Sequence, residues 1–358
     1  MQPNFSQLIN LFKDELVLCG VKTGEFVVVA SQPESREGYV DAFLTAIKEL
    51  GAHGVNLQFP GIRHAQLPYL GRQTEDIDVF IDSAPHAMEI LKKADMVVDV
   101  TAEGLVHTKA RAVTLGGGAR MLMVWEKQEI LERMFPRESL RKRVESSVNM
   151  LKQAETMRVR SEIGTDISVR LVKDRPIVGQ YGYTDQPGRW DHFASGFVAC
   201  YPSEVSVNGR IVLDVGDILL PLNRYIESPI DITIEEGFIT DIKGQGLDTL
   251  IFKQYFESYN DKDVYGTSHF GWGLDETALW EALSFYGSDT YGMDARSFAG
   301  NFMWSTGPNA HVKRFTPCHY DIPMRNCTIE LDGKEIIREG TIVEPSLIPA
   351  NTGKELIK

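Results

Sequence analysis

A chain of 358 residues with 43% hydrophobic content can bury the cores of two domains. Its 50 acidic against 37 basic side chains leave a formal charge of −13, which argues against a nucleic-acid partner because no phosphate-neutralising surface is offered. No apolar run approaches the roughly 18 residues that cross a bilayer, so a membrane partner is not expected either.

The opening stretch, MQPNFSQLINLFKDELVLCG, reads as an amphipathic helix bearing acids. It lacks the basic start and apolar block of a signal peptide, so a cytoplasmic protein is expected. Strand and helix patterns then alternate. The run EFVVVAS at 25–31 is a short buried strand, and 38–50 has helical periodicity that stops at Gly51. GVNLQF, a helix over 85–94, MVVDVT at 96–101 and RMLMVW at 120–125 follow. Strands rich in Val, Leu and Met separated by helices predict a parallel sheet covered on both faces. No GxGxxG follows the first strand, and Gly116-Gly117-Gly118 ends a helix rather than opening one, so a dinucleotide site is disfavoured. Ligands of open α/β sheets gather at the carboxyl ends of strands, which places Glu103 and His107 in a candidate region.

A long helix over 137–157 leads into a second half of different texture. Its basic stretch, 137–143, is interleaved with Glu138 and followed by Glu145, the pattern of a solvated helix face. From Arg158 onward short strands alternate with Gly, Asp and Asn turns, and one helix interrupts at 246–259. The expected fold is therefore α/β: an N-terminal parallel-sheet α/β domain, 1–157, followed by a β-rich α+β metal-binding domain, 158–358.

Cys19, Cys200, Cys318 and Cys327 show no CxxC spacing, which argues against a zinc knot and a disulfide framework. Cys318 adjoins a candidate site, and the others read as small buried hydrophobes. Three stretches carry the candidate chemistry: 267–273 (TSHFGWG), 317–324 (PCHYDIPM), and 191–199, which holds Asp191-His192 and Gly196-Phe197. His319 and Asp321 are two apart, so in an extended segment both project from one face and can meet one metal ion. Taken alone, that pair is also what a half-exposed strand shows, and spacing does not bring His269 to it.

The order of these motifs resembles that of the thermophilic-type (AmpS-like) two-metal aminopeptidases, over about Arg158 to Met324. Gly164-Thr165-Asp166, the Gly196 segment, the Gly271-x-Gly273 turn and the HxDxxM ending at Met324 fall in the expected sequence. The departures say more. A glutamate ligand of the peptidase pattern is Phe197 here, another is His269, and a histidine ligand is Met303. Phe and Met cannot hold a hard second metal ion, and His269, His319 and Asp321 remain. Two imidazoles and a carboxylate with open positions opposite make the facial triad of non-haem Fe(II) oxygenases. A two-metal scaffold reduced to one iron resembles the 2,5-dihydroxypyridine 5,6-dioxygenase family.

That resemblance implies an Fe(II) enzyme of the extradiol type, opening 2,5-dihydroxypyridine with O2 to N-formylmaleamate. Its partners are a small aromatic substrate, O2 and further copies of itself. A histidine suits the proton transfer such a phenol needs, and His107 and His192, the latter read as part of a loop, are the candidates. Phe197, Met303 and Trp304 would line the space of the lost metal, while His53, His64, His86 and His311 have no supporting spacing. The same three ligands could hold zinc, so a metallo-aminopeptidase or related hydrolase is the alternative. The loss of a bridging-type glutamate weakens it. A non-catalytic, metal-stabilised binding protein is the third reading.

Overall fold

The computed structural model describes residues 5–61, 75–102, 104–106, 108–173, 176–316 and 318–349. Its first layer is a five-stranded parallel sheet in the order His53–Gln58, Phe26–Ser31, Met96–Asp99, Arg120–Val124, Trp190–Phe193. Successive side chains of a strand point to opposite faces, and the clusters follow that rule. Val27, Val29, Val98 and Leu122 pack with Phe12 and Phe43 of the helices Phe5–Leu18 and Tyr39–Glu49. Val28, Ala30, Val97 and Met121 face the other way, onto Leu91 and Ala110 of the helices Pro85–Lys93 and Lys109–Gly116. Burial on both faces is why these strands are continuous apolar runs.

The expected α/β fold with a β-rich second part is what forms. One strand crosses the expected boundary at 157. Trp190–Phe193, read from sequence as a loop, pairs in parallel with Arg120–Val124 and closes the first sheet. The expected long helix is also shorter, Glu138–Gln153, because Thr156–Arg160 is already a strand paired with Asp166–Arg170. The helices Glu75–Ser83 and Gln128–Arg133 were not foreseen.

The second part holds an eight-stranded antiparallel sheet and a five-stranded antiparallel sheet. The latter runs Tyr320–Met324, Phe302–Thr306, Thr267–Gly273, Phe197–Cys200, Ile177–Gln180. Its register puts Phe270 opposite Trp304 and Trp304 opposite Ile322, all fully buried in the main core. The alternate positions, Ser305 and its partner Asp321, therefore face the other way. Among the described residues, no helix is long and apolar enough to cross a membrane.

Candidate metal centre

Three side chains converge on the non-core face of the five-stranded sheet. His269 and its neighbour Ser268 form an irregularity in the strand Thr267–Gly273, where the register to Phe302–Thr306 shifts between Thr267 and Phe270. Such bulges re-aim a side chain, and His269 is held there by its backbone N–H, which donates to Ser305 Oγ at 3.1 Å. Gly271 follows because the strands approach too closely for anything larger: a Cβ would lie 1.8 Å from the Val198 carbonyl oxygen.

His319 enters from the loop preceding Tyr320–Met324. Gly307 lets that loop close in, at φ +98°, with a would-be Cβ 1.7 Å from the Cys318 carbonyl oxygen. Buried Arg314 ties the same corner together. It donates to the carbonyls of Gly307 at 2.6 Å and of Thr267, the residue that starts the His269 strand, and it pairs with Glu204.

The resulting geometry is compact. His269 Nε2 lies 3.2 Å and His319 Nε2 3.1 Å from the same atom, Asp321 Oδ1. The donor atoms of all three residues fall within 4.8 Å of one another. Asp321 Oδ2 is engaged elsewhere, accepting from Arg296 Nε at 2.7 Å. Side-chain exposure rises from 7% at Asp321 and 11% at His269 to 25% at His319, so the site opens on the His319 side.

Burial raises the Asp321 carboxyl, but His319, Arg296 and the close approach of both imidazoles overcome it and hold the group well below the usual carboxylate range. Burial pulls His269 down, toward the neutral imidazole that can ligate. The buried Oδ1 has no well-directed hydrogen bond among the described residues although two imidazole nitrogens flank it. Two imidazole nitrogens and a carboxylate oxygen this close together fit a divalent ion of the 2-His-1-carboxylate type.

The surroundings join both sheets. Arg296 sits on the short helix Met293–Ser297 and also donates to the Tyr291 carbonyl. Buried Glu126, just past the carboxyl end of Arg120–Val124, accepts from the backbone N–H groups of Tyr291 at 3.1 Å and Met293 at 2.9 Å. The arginine bracing Asp321 is thus anchored at the strand ends of the parallel sheet, where such folds bind ligands.

His192 lies on the edge strand of that sheet, half-buried, with its ring 5.0 Å from Trp125 and 5.4 Å from Trp190. Its Nδ1 meets Gln180 Oε1 at 2.6 Å, a contact that a protonated Nδ1 would make. Asp191 beside it is fully buried and accepts from the N–H groups of Tyr181, Gly182 and His192 and from Arg189. Those partners are what allow an acid inside this strand. His107 and Glu103, the other sequence candidates at the strand ends, lie outside the described residues, as does His64.

Phe197 and Met303 pack with Ala199 and Met293 in a small apolar cluster on the site side of the sheet. Trp304 does not join them; one residue on from Met303, it points into the opposite core. Cys318 is also turned away, its buried thiol beside the Tyr255 and Tyr259 hydroxyls and pushed up to about 12 by burial. His311, given no role from sequence, packs at 4.9 Å on Tyr201, whose ring is 5.9 Å from that of His269. Arg296 and Tyr201 were missed because neither shows a spacing motif; tertiary contact alone brings them in.

A family model for 2,5-dihydroxypyridine 5,6-dioxygenase matches residues 7–344. A 2,5-dihydroxypyridine 5,6-dioxygenase of Pseudomonas putida is 40% identical over 343 residues, 95% of this chain and 97% of that protein. The solved structure of 2,5-dihydroxypyridine dioxygenase from Pseudomonas putida superposes with a TM-score of 0.90 at 39% identity, covering 96% of this chain and 99% of the other. AmpT from Thermus thermophilus shares the fold alone, with a TM-score of 0.62 at 11% identity over 94% of this chain and 99% of its own.

Proposed function

The chain belongs to the 2,5-dihydroxypyridine 5,6-dioxygenase family, and from that premise we propose that it cleaves the C5–C6 bond of 2,5-dihydroxypyridine with O2 at one Fe(II) held by His269, His319 and Asp321. The supporting observation is the approach of both imidazole Nε2 atoms to the single oxygen Asp321 Oδ1. Bound there, Fe(II) supplies the extradiol-type redox chemistry that couples an electron-rich ring to O2. Both oxygen atoms enter N-formylmaleamate, in which C5 has become the carboxyl carbon and C6 the N-formyl carbon.

The protein's own part is orientation and proton handling. Arg296 fixes the rotation of the Asp321 carboxylate, so that Oδ1 faces the imidazoles. The apolar cluster of Phe197, Ala199, Met293 and Met303 fills the space of a second metal and offers a dry wall to a flat ring. His192, with Nδ1 committed to Gln180, is suited to take the proton of the C5 hydroxyl on Nε2. His107 is the second candidate for that role. The family resemblance supports a cytoplasmic homo-oligomer.

The metallo-aminopeptidase alternative keeps a fold-level likeness only. Metal-free protein reloaded under argon separates the readings. Fe(II) should restore O2 uptake with 2,5-dihydroxypyridine, whereas Zn(II) or Co(II) should restore no cleavage of amino-acid amides. Amide hydrolysis without O2 uptake would reverse the assignment.

A further inference from the structure

Arg111 lies in the first turn of the helix Lys109–Gly116, just beyond the carboxyl end of the parallel strand Met96–Asp99. That turn has no acidic residue, although the positive end of a helix dipole favours one. Lys109 is answered by Asp82 at 2.6 Å. Arg111 is answered by nothing: among the described residues it has no hydrogen bond or ion pair, and the one ionisable group acting on it is the Tyr201 phenol. Its half-buried guanidinium instead stacks 5.0 Å from the centroid of Trp190.

Burying a cation without a counter-charge costs stability, so such a group marks a place where a ligand supplies the missing partner. The neighbours say which ligand. Trp190 meets His192 edge-on at 5.4 Å, and Tyr201, which feels both Arg111 and Asp321, packs against His269. The cation therefore lies one aromatic ring away from His192, through Trp190, and Tyr201 leads from it to His269. In a flat ring hydroxylated at C2 and C5 the two oxygens are para, so when one is turned to the metal centre the other is presented across the site.

Resting on the reading of the site given above, we propose that Arg111 recognises the C2 oxygen of the substrate ring and is a specificity-determining residue. A planar guanidinium gives charge-assisted hydrogen bonds to a carbonyl-like or anionic ring oxygen. Rings that lack that oxygen forgo the contact.

The test is anaerobic equilibrium binding to the Fe(II)-loaded enzyme, comparing 2,5-dihydroxypyridine with 3-hydroxypyridine, the same ring without the C2 oxygen. Arg111→Met should weaken the first about 10- to 100-fold, the range for one lost hydrogen bond to a charged group, and leave the second unchanged. Arg111→Lys should recover part of the difference. The melting temperature of Arg111→Met without ligand should equal or exceed that of the parent protein, whereas a structural role would lower it. Equal loss for both rings, no loss for either, or a lowered melting temperature overturns the assignment of Arg111. Failure of the parent protein to bind either ring counts instead against the proposed reaction, and takes this inference with it.

Discussion

Arg296 Nε and Asp321 Oδ2 lie 2.7 Å apart, and this contact leaves Oδ1 as the oxygen that faces both imidazoles. The pair makes Arg296 a positioning residue. Arg296→Met should lower metal affinity about 10- to 100-fold, as loss of a ligand's supporting hydrogen bond does. It should also alter the visible absorption of the Co(II)-substituted protein, because Asp321 would be free to rotate. Arg296→Lys should recover part of both. Unchanged affinity with an unchanged Co(II) spectrum would show that Asp321 needs no brace.

The three converging ligands should be individually required. His269→Ala, His319→Ala and Asp321→Ala are each expected to purify folded with little or no iron, by metal analysis and circular dichroism. Asp321→Ala has a further signature. It leaves Arg296 without its carboxylate in a part-buried position, so it should be the least stable of the three, by about 3–5 kcal/mol relative to the parent metal-free protein. Full iron content in any one variant would remove that residue from the ligand set.

Much of this was legible in the sequence, for identifiable reasons. Runs such as FVVVAS and RMLMV are covered on both faces, so they stay apolar throughout and read as parallel strands. The His319–Asp321 spacing carries its own geometry. The approach of His269 to that pair depends on a register shift that no local pattern announces. The strand Trp190–Phe193 was unreadable because its buried Asp191 relies on Tyr181, Gly182 and Arg189, partners brought in by the tertiary fold, besides its neighbour His192. Trp304 was assigned to the wrong side although strand alternation separates it from Met303 by one step.

Metal stoichiometry follows from the apolar cluster. With Phe197 and Met303 packed against Met293 where further ligands would be needed, titration with Fe(II) or Mn(II) should saturate at one ion per chain. Two tightly bound ions would revive a two-metal reading.

Proton transfer is expected to depend on His192. His192→Ala should keep its iron and its affinity for 2,5-dihydroxypyridine while kcat falls about 100-fold or more, the usual contribution of a positioned acid–base group. Gln180→Leu, which frees the imidazole tautomer, should shift the acid limb of the kcat–pH profile with a smaller loss. If His192→Ala turns over normally while His107→Ala does not, the role passes to His107.

On the proposed reaction, both atoms of one O2 molecule are inserted across the C5–C6 bond. Single-turnover reaction of the Fe(II)-loaded protein with 2,5-dihydroxypyridine under isotopically heavy O2, followed by mass spectrometry of the product, tests it most directly. The expected product is N-formylmaleamate carrying two heavy oxygen atoms, allowing for slow exchange with water at the formyl group. A product with an intact ring, or one whose new oxygens come from water in the earliest samples, would contradict it.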